Sequence, residues 1–137
     1  MILTAHQPVY LPWLGLFHKI ALADLFCYFD IVQYQRKDYN NRNKVKTSNG
    51  ELWLSVPVES KNHLSKNVSK ILIVQDNWVK KHLKSIELNY KKTPFFKDYF
   101  PELQSILIND SKDSLGYLNL KLLEYLMECL KIDTPIV

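Results

Sequence analysis

The sequence predicts an α/β fold. It has an N-terminal βαβ unit of Rossmann-like, three-layer character and a helical C-terminal portion. Three observations carry that reading. A strand, a proline-stiffened loop, a helix and a second strand follow one another within thirty residues. An apolar pattern of helical period recurs from Trp78 to the last helix. Hydrophobic residues make up 47% of the 137 and glycine only 3, which excludes disordered, collagen-like and low-complexity chains.

Ile2-Leu3-Thr4-Ala5 reads as the first strand. Pro8 and Pro12, four apart, forbid a helix across residues 6–12. Pro12 then stands at the first turn of a helix carrying Trp13, Leu14, Phe17, Ile20 and Ala21. Leu25-Phe26-Cys27-Tyr28-Phe29 is the second strand, and the helical crossover makes the pair parallel. Asn49-Gly50 marks a turn between arms at Val45-Lys46 and at Leu52 to Val58. Ile71-Leu72-Ile73-Val74 is a further strand candidate. Asp76 or Asn77 caps a helix with Trp78, Leu83, Ile86 and Tyr90 on its apolar face. A helix bent at Pro101 follows, and Ser114 caps the last one. Asp133-Thr134-Pro135-Ile136-Val137 looks like the entry to a strand, so residues 1–137 are expected to be one domain and the front part of a longer protein.

Charge excludes some partners and favours others. Residues 1–92 carry 14 Lys+Arg against 7 Asp+Glu, and residues 93–137 carry 4 against 7. A basic N-terminal portion attracts anions, such as a phosphorylated or nucleotide-linked small molecule. Arg42, flanked by Asn40, Asn41 and Asn43, is the most directed candidate, because Arg and amides hold phosphate through several hydrogen bonds. Lys80, Lys81, Lys84, Lys91 and Lys92 read as a solvated face. Cys27 and Cys129 have neither disulfide-scaffold nor zinc-ligand spacing, so they are expected to be buried apolar residues in a protein of the reducing cytosol. Lys19 and Asp24 interrupt the longest early apolar stretch, and no bilayer span is expected.

The first loop is the candidate site. In an open parallel sheet, ligands bind beyond the carboxyl ends of the strands. His6, Gln7 and Tyr10 bring an imidazole, an amide and a phenol there. His6 can act as a general base or contact a phosphate, since its charge changes near neutral pH. The plainer alternative is that His6 only hydrogen-bonds the loop backbone. Gly15 allows a close approach, while Trp13 covers a core edge. The layout is similar in outline to nucleotidylyltransferases, which makes a nucleotide-binding enzyme of that kind an alternative, although Gly15 and His18 do not form their two-histidine signature. A non-catalytic module binding RNA or another anion through Tyr34 and Tyr39 is a further alternative. Nucleic acid is the less expected partner, because bases and aromatics do not interleave regularly along the chain.

Whole phrases carry a closer likeness. His6-Gln7-Pro8-Val9-Tyr10-Leu11-Pro12-Trp13-Leu14-Gly15, then Ala23-Asp24, Asn41-Arg42-Asn43, Lys46, Trp53 to Val58 and Lys81-His82 resemble the WbqC-like family. That resemblance implies a role in surface polysaccharide and lipopolysaccharide O-antigen synthesis. It implies a transferase placing a small acyl or aminoacyl group on an amino sugar or nucleotide sugar. His6 is the implied catalytic residue. Gln7, Tyr10, Arg42, Asn43, Lys46 and His82 are the implied substrate contacts. Where the resemblance implies an acidic pair after the second strand, this chain has Asp30 followed by Ile31. Neither residues nor resemblance assign a cofactor, a metal or an oligomeric state.

Overall fold

Strand β1 (Leu3–His6), helix α1 (Leu14–Ala21) and strand β2 (Leu25–Tyr28) form the expected βαβ unit in a computed structural model that describes residues 1–59 and 61–137. The strands are parallel, in register from Leu3 opposite Leu25 to His6 opposite Tyr28. The carboxyl end of β1 therefore opens directly into the proline-stiffened loop. Helix α1 starts two residues later than Pro12 implied. Trp13, extended at φ −81° and ψ 160°, is its N-cap, so Pro12 lies outside the helix. Leu16, Phe17 and Ile20 form the buried face of α1, whereas Trp13 and Leu14 are exposed.

Pro135–Val137 lies along the other edge of β2, in parallel, as its strand-like sequence predicts. The Phe26 and Tyr28 amides donate to the carbonyls of Pro135 and Val137 at 2.9 and 2.8 Å. The Val137 amide donates back to Phe26 at 2.9 Å. Strand β2 is thus central, and Phe26 is 1% exposed. It packs with Phe17, Ile20, Leu123 and Met127 in one of two apolar clusters.

Strands β3 (Arg42–Thr47) and β4 (Gly50–Ser55) form an antiparallel hairpin. Thr47 pairs with Gly50, so the turn residues are Ser48 and Asn49, one position earlier than Asn49-Gly50 implied. Gly50 follows the turn at φ +111°, a backbone conformation that costs glycine little. Alternation places Arg42, Lys44 and Lys46 on one face, with Trp53 directly opposite Lys44. On the other face, Val45 and Leu54 join the larger core with Tyr10, Val56 and Ile71.

Residues 71–74 do not form the expected strand. They make only isolated bridges, Ile73 with Val58 and Leu72 with Ser114. Their backbone is divided between two different partners, so no ladder propagates. Helices α2 (Trp78–Tyr90), α3 (Phe96–Asn109) and α4 (Leu115–Cys129) complete the chain. The Asp76 carboxylate accepts from the Trp78 amide at 2.8 Å, which satisfies a free donor at the start of α2. Ser114 caps α4, its hydroxyl accepting from the Tyr117 amide at 3.2 Å. Cys27 and Cys129 are free and half-buried, less enclosed than expected. Among the described residues, no helix is long and apolar enough to cross a membrane.

Gly116 lets α4 lie against the short helical turn at residues 68–70. A Cβ there would stand 3.1 Å from the Ser69 Cα, which is backbone and cannot swing aside. The Gly116 carbonyl also accepts from the Tyr28 hydroxyl at 2.8 Å. Gly116→Ala should therefore destabilise the protein by about 1–3 kcal/mol, although alanine is the better helix former. Urea denaturation read by circular dichroism measures this; an unchanged or raised midpoint would contradict the close packing.

Candidate functional site

The first loop is held from several directions. The Tyr10 amide donates to the Tyr39 carbonyl at 3.1 Å. Asn40 is fully buried, and its side-chain amide donates to the Pro8 carbonyl at 2.8 Å. The Asn43 amide donates to the carbonyls of Leu11 at 2.8 Å and Tyr10 at 3.2 Å. Asn41 likewise donates to the Val56 carbonyl at 2.8 Å. These bonds correct the reading of the asparagines as partners of Arg42 in anion binding. Their amides are spent on backbone carbonyls. The bonds also hold Leu11 at φ +46°, a left-handed conformation that a branched residue adopts only under tertiary constraint.

Tyr10 and His82 do meet, but inside the core. Tyr10 is 0% exposed, and its hydroxyl lies 2.8 Å from His82 Nδ1. His82 Nε2 lies 3.1 Å from the Ser55 carbonyl. A carbonyl only accepts, so Nε2 carries the proton and Nδ1 accepts from the phenol. Burial pushes the Tyr10 phenol above its usual value, which keeps it a donor. Burial also lowers His82 to about 4, against smaller opposing effects from the Ser55 carbonyl and Asp76. Every polar atom of the pair is engaged, so neither residue is left to touch a substrate.

His6 stands at that surface. Its Nδ1 lies 2.8 Å from the Gln7 carbonyl. The same argument puts the proton on Nδ1 and leaves the Nε2 lone pair free to take one up. The ring meets Trp13 edge-on, with centroids 5.5 Å apart. Gly15 makes room for this, since a Cβ there would lie 2.7 Å from Trp13 Nε1. The side chain of Gln7 is half-buried beside it.

Trp13 is 47% exposed, so it does not cover a core edge as expected. It lies 6.4 Å from Tyr39, which lies 5.8 Å from Trp53. The Arg42 guanidinium sits 4.2 Å above Trp53 and Lys44 Nζ 5.0 Å from it. One continuous strip thus runs from His6 through three exposed aromatic rings to Arg42. Arg42 also donates to the Lys37 carbonyl at 2.6 Å, while its Nε is shut from solvent without an acceptor among the described residues. Lys44 pairs with Glu51, and Lys46 is exposed on the same hairpin face. Tyr34 is buried and cannot serve as a surface aromatic. Trp13, Tyr39 and Trp53 were not readable as a group, because they lie on three separate elements.

A second concavity lies elsewhere. A cavity of about 240 Å³ between α2, α3 and α4 is walled by Ile86, Tyr90, Phe96, Tyr99, Phe100 and Leu103, among others. It shares no residue with the first loop.

A family model, that of the WbqC-like protein family, matches residues 7–137. This chain belongs to the WbqC-like protein family. His6 lies one residue before the match, whereas the aromatic strip from Trp13 to Trp53 lies within it. Among curated proteins, the chain is similar to the uncharacterized protein Rv1507c of Mycobacterium tuberculosis (strain ATCC 25618 / H37Rv). The two are 35% identical over 128 residues, covering 93% of this chain and 55% of that protein. The chain therefore spans about half the length of this relative. No solved structure matches.

Tyr10→Phe strands His82 Nδ1 without a donor and should cost about 1–3 kcal/mol in urea denaturation at pH 7.5. An unchanged midpoint would count against the bond. His82 in the unfolded chain titrates near 6.5, and in the folded protein near 4. Between those values the unfolded chain binds a proton that the folded protein refuses. Stability should therefore be level above about pH 7 and fall between pH 6.5 and 4, by on the order of 3 kcal/mol from this residue. Replacing His82 by Gln should flatten that part of the profile; an equally steep fall in the variant would assign it elsewhere.

Proposed function

We propose that this chain belongs to a group transferase of surface polysaccharide synthesis, which places a small acyl or aminoacyl group on an amino sugar bearing a phosphate or nucleotide. The observation that carries this reading is the His6 imidazole. It is half-exposed at the carboxyl end of a parallel strand, with Nδ1–H engaged and Nε2 free. The resemblance to the WbqC-like family supplies the polysaccharide context.

In this mechanism the acceptor's amino nitrogen attacks the carbonyl carbon of an activated acyl donor. The new bond is C–N, and the bond broken joins the acyl carbon to the donor's leaving group. His6 Nε2 takes the proton lost by nitrogen and passes it to the leaving group. The Gln7 carbonyl, already accepting from Nδ1–H, fixes the tautomer and the orientation of the ring through both steps. Arg42 and Lys46 hold the acceptor's phosphate. Tyr10, His82 and Asn43 act beneath the site, by keeping the loop in place.

Removing the base tests the reading. His6→Ala in the full chain should lower acyl transfer about 100-fold or more while a sugar nucleotide still binds. Transfer is followed by mass spectrometry of the acylated sugar, and binding by calorimetry. A variant as fast as the unaltered protein would rule out His6 as the base.

A further inference from the structure

We infer that Trp13, Tyr39 and Trp53, with Arg42 at one end, form the binding strip for a phosphorylated pyranose. The sugar ring lies on the Tyr39 and Trp13 rings, and the phosphate on Arg42 beside Trp53. This inference rests on the reading of the acceptor as an amino-sugar phosphate and adds how the acceptor is held.

The placement of Trp53 is the first support. It stands opposite Lys44 on the outward face of the β3–β4 hairpin, where alternation otherwise puts Arg42, Lys46, Glu51 and Ser55. Its inward neighbour Leu54 reaches the core instead. The indole is 40% exposed there, with the Arg42 guanidinium 4.2 Å over its ring and Tyr39 beside it. Tyr39 at 42% and Trp13 at 47% exposure repeat the pattern on two other elements. The three rings are nevertheless contiguous, with centroids 5.8 and 6.4 Å apart.

Ring geometry and charge choose the ligand. Tyr39 is tilted 44° from Trp53 and 56° from Trp13. A run of parallel stacked bases cannot lie flat on all three. A puckered sugar ring presents C–H bonds in several directions, and these meet the electron-rich faces of adjacent tilted rings. The cationic end is also small. On the outward face of the hairpin Lys44 is tied to Glu51, which leaves Arg42 and Lys46 as the two cations of that face for an incoming anion. Two cations suit one phosphate or diphosphate better than a polyanion, which needs a longer basic track. At the other end of the strip stands His6, placing the sugar between anion clamp and base.

Calorimetry on the full chain tests this with four probes: glucosamine 1-phosphate, UDP-glucosamine, UDP and glucosamine. Both sugar phosphates should bind at least 10-fold more tightly than UDP or the free sugar. Which of the two binds better identifies a free sugar phosphate or a nucleotide-linked one as the source. Tyr39→Leu should weaken both about 10-fold, and Tyr39→Phe should restore them. Gly15→Ala, which pushes Trp13 out of line without removing it, should also weaken binding and shift the Trp13 indole N–H resonance. Wild-type binding that ignores the sugar, or Tyr39→Leu binding as tightly as wild type, overturns the inference. So does an oligouridylate bound 10-fold more tightly than either sugar phosphate, which would reassign the strip to RNA. Loss of binding in Tyr39→Leu beside normal transfer in His6→Ala would uphold the strip and reject the catalytic reading.

Discussion

The hydrogen bond between Tyr10 and His82 ties the first loop to α2 inside the larger core. It joins residues 72 apart, out of contact with water, and the Ser55 carbonyl completes it from β4. The first loop, the hairpin and α2 thus share one polar line through the larger core. In water such a bond adds little net energy, because solvent competes for both partners. In the core, either partner left alone would be a desolvated polar group, so the three elements have essentially one mutual arrangement. Neutral His82 is part of this, since a charged imidazole could not accept from the phenol.

From that anchor the loop is carried to the surface in a fixed shape. Asn40 and Asn43 grip the carbonyls of Pro8, Tyr10 and Leu11, and Asn119 on α4 donates to the Asn40 carbonyl at 2.8 Å. Leu11 stays in its left-handed conformation because these bonds leave no alternative. The same grip sets the hairpin against the loop, which brings Trp53 and Arg42 to the side where Trp13 and His6 emerge. Rigidity below is what allows a precise surface above. A general base and an anion clamp work together only if their separation does not drift. The chemistry proposed for His6 therefore depends on residues that never touch a ligand.

Parts of this were legible in the chain itself. The βαβ unit followed from local signals: a short apolar strand, two prolines four apart, a helical period and a second apolar run. The cap at Ser114 and the strand-like end at Pro135–Val137 were equally local. Residues 71–74 misled, because an apolar run rich in β-branched residues reads the same whether its backbone pairs with one partner or two. The Asn-Gly turn misled by one position, since glycine's tolerance of positive φ serves the residue after a turn as well as one within it. His6 and Arg42 were legible as chemistry, whereas Asn43, Tyr10 and His82 were legible only as polar residues in a shared pattern. An amide or imidazole has the same letter in a cleft and in a core.

The α/β class, the basic N-terminal portion, the WbqC-like likeness and the imidazole after the first strand are all local properties of the chain. Those depend on residue type and on spacing along the chain. That the asparagines and the Tyr10–His82 pair face inward, while Trp13, Tyr39 and Trp53 gather outside between His6 and Arg42, follows from the packing of distant elements. Burial and adjacency are set by the meeting of elements far apart in the chain, here through hydrogen bonds spanning 32, 33 and 72 residues, and local spacing carries no information about them.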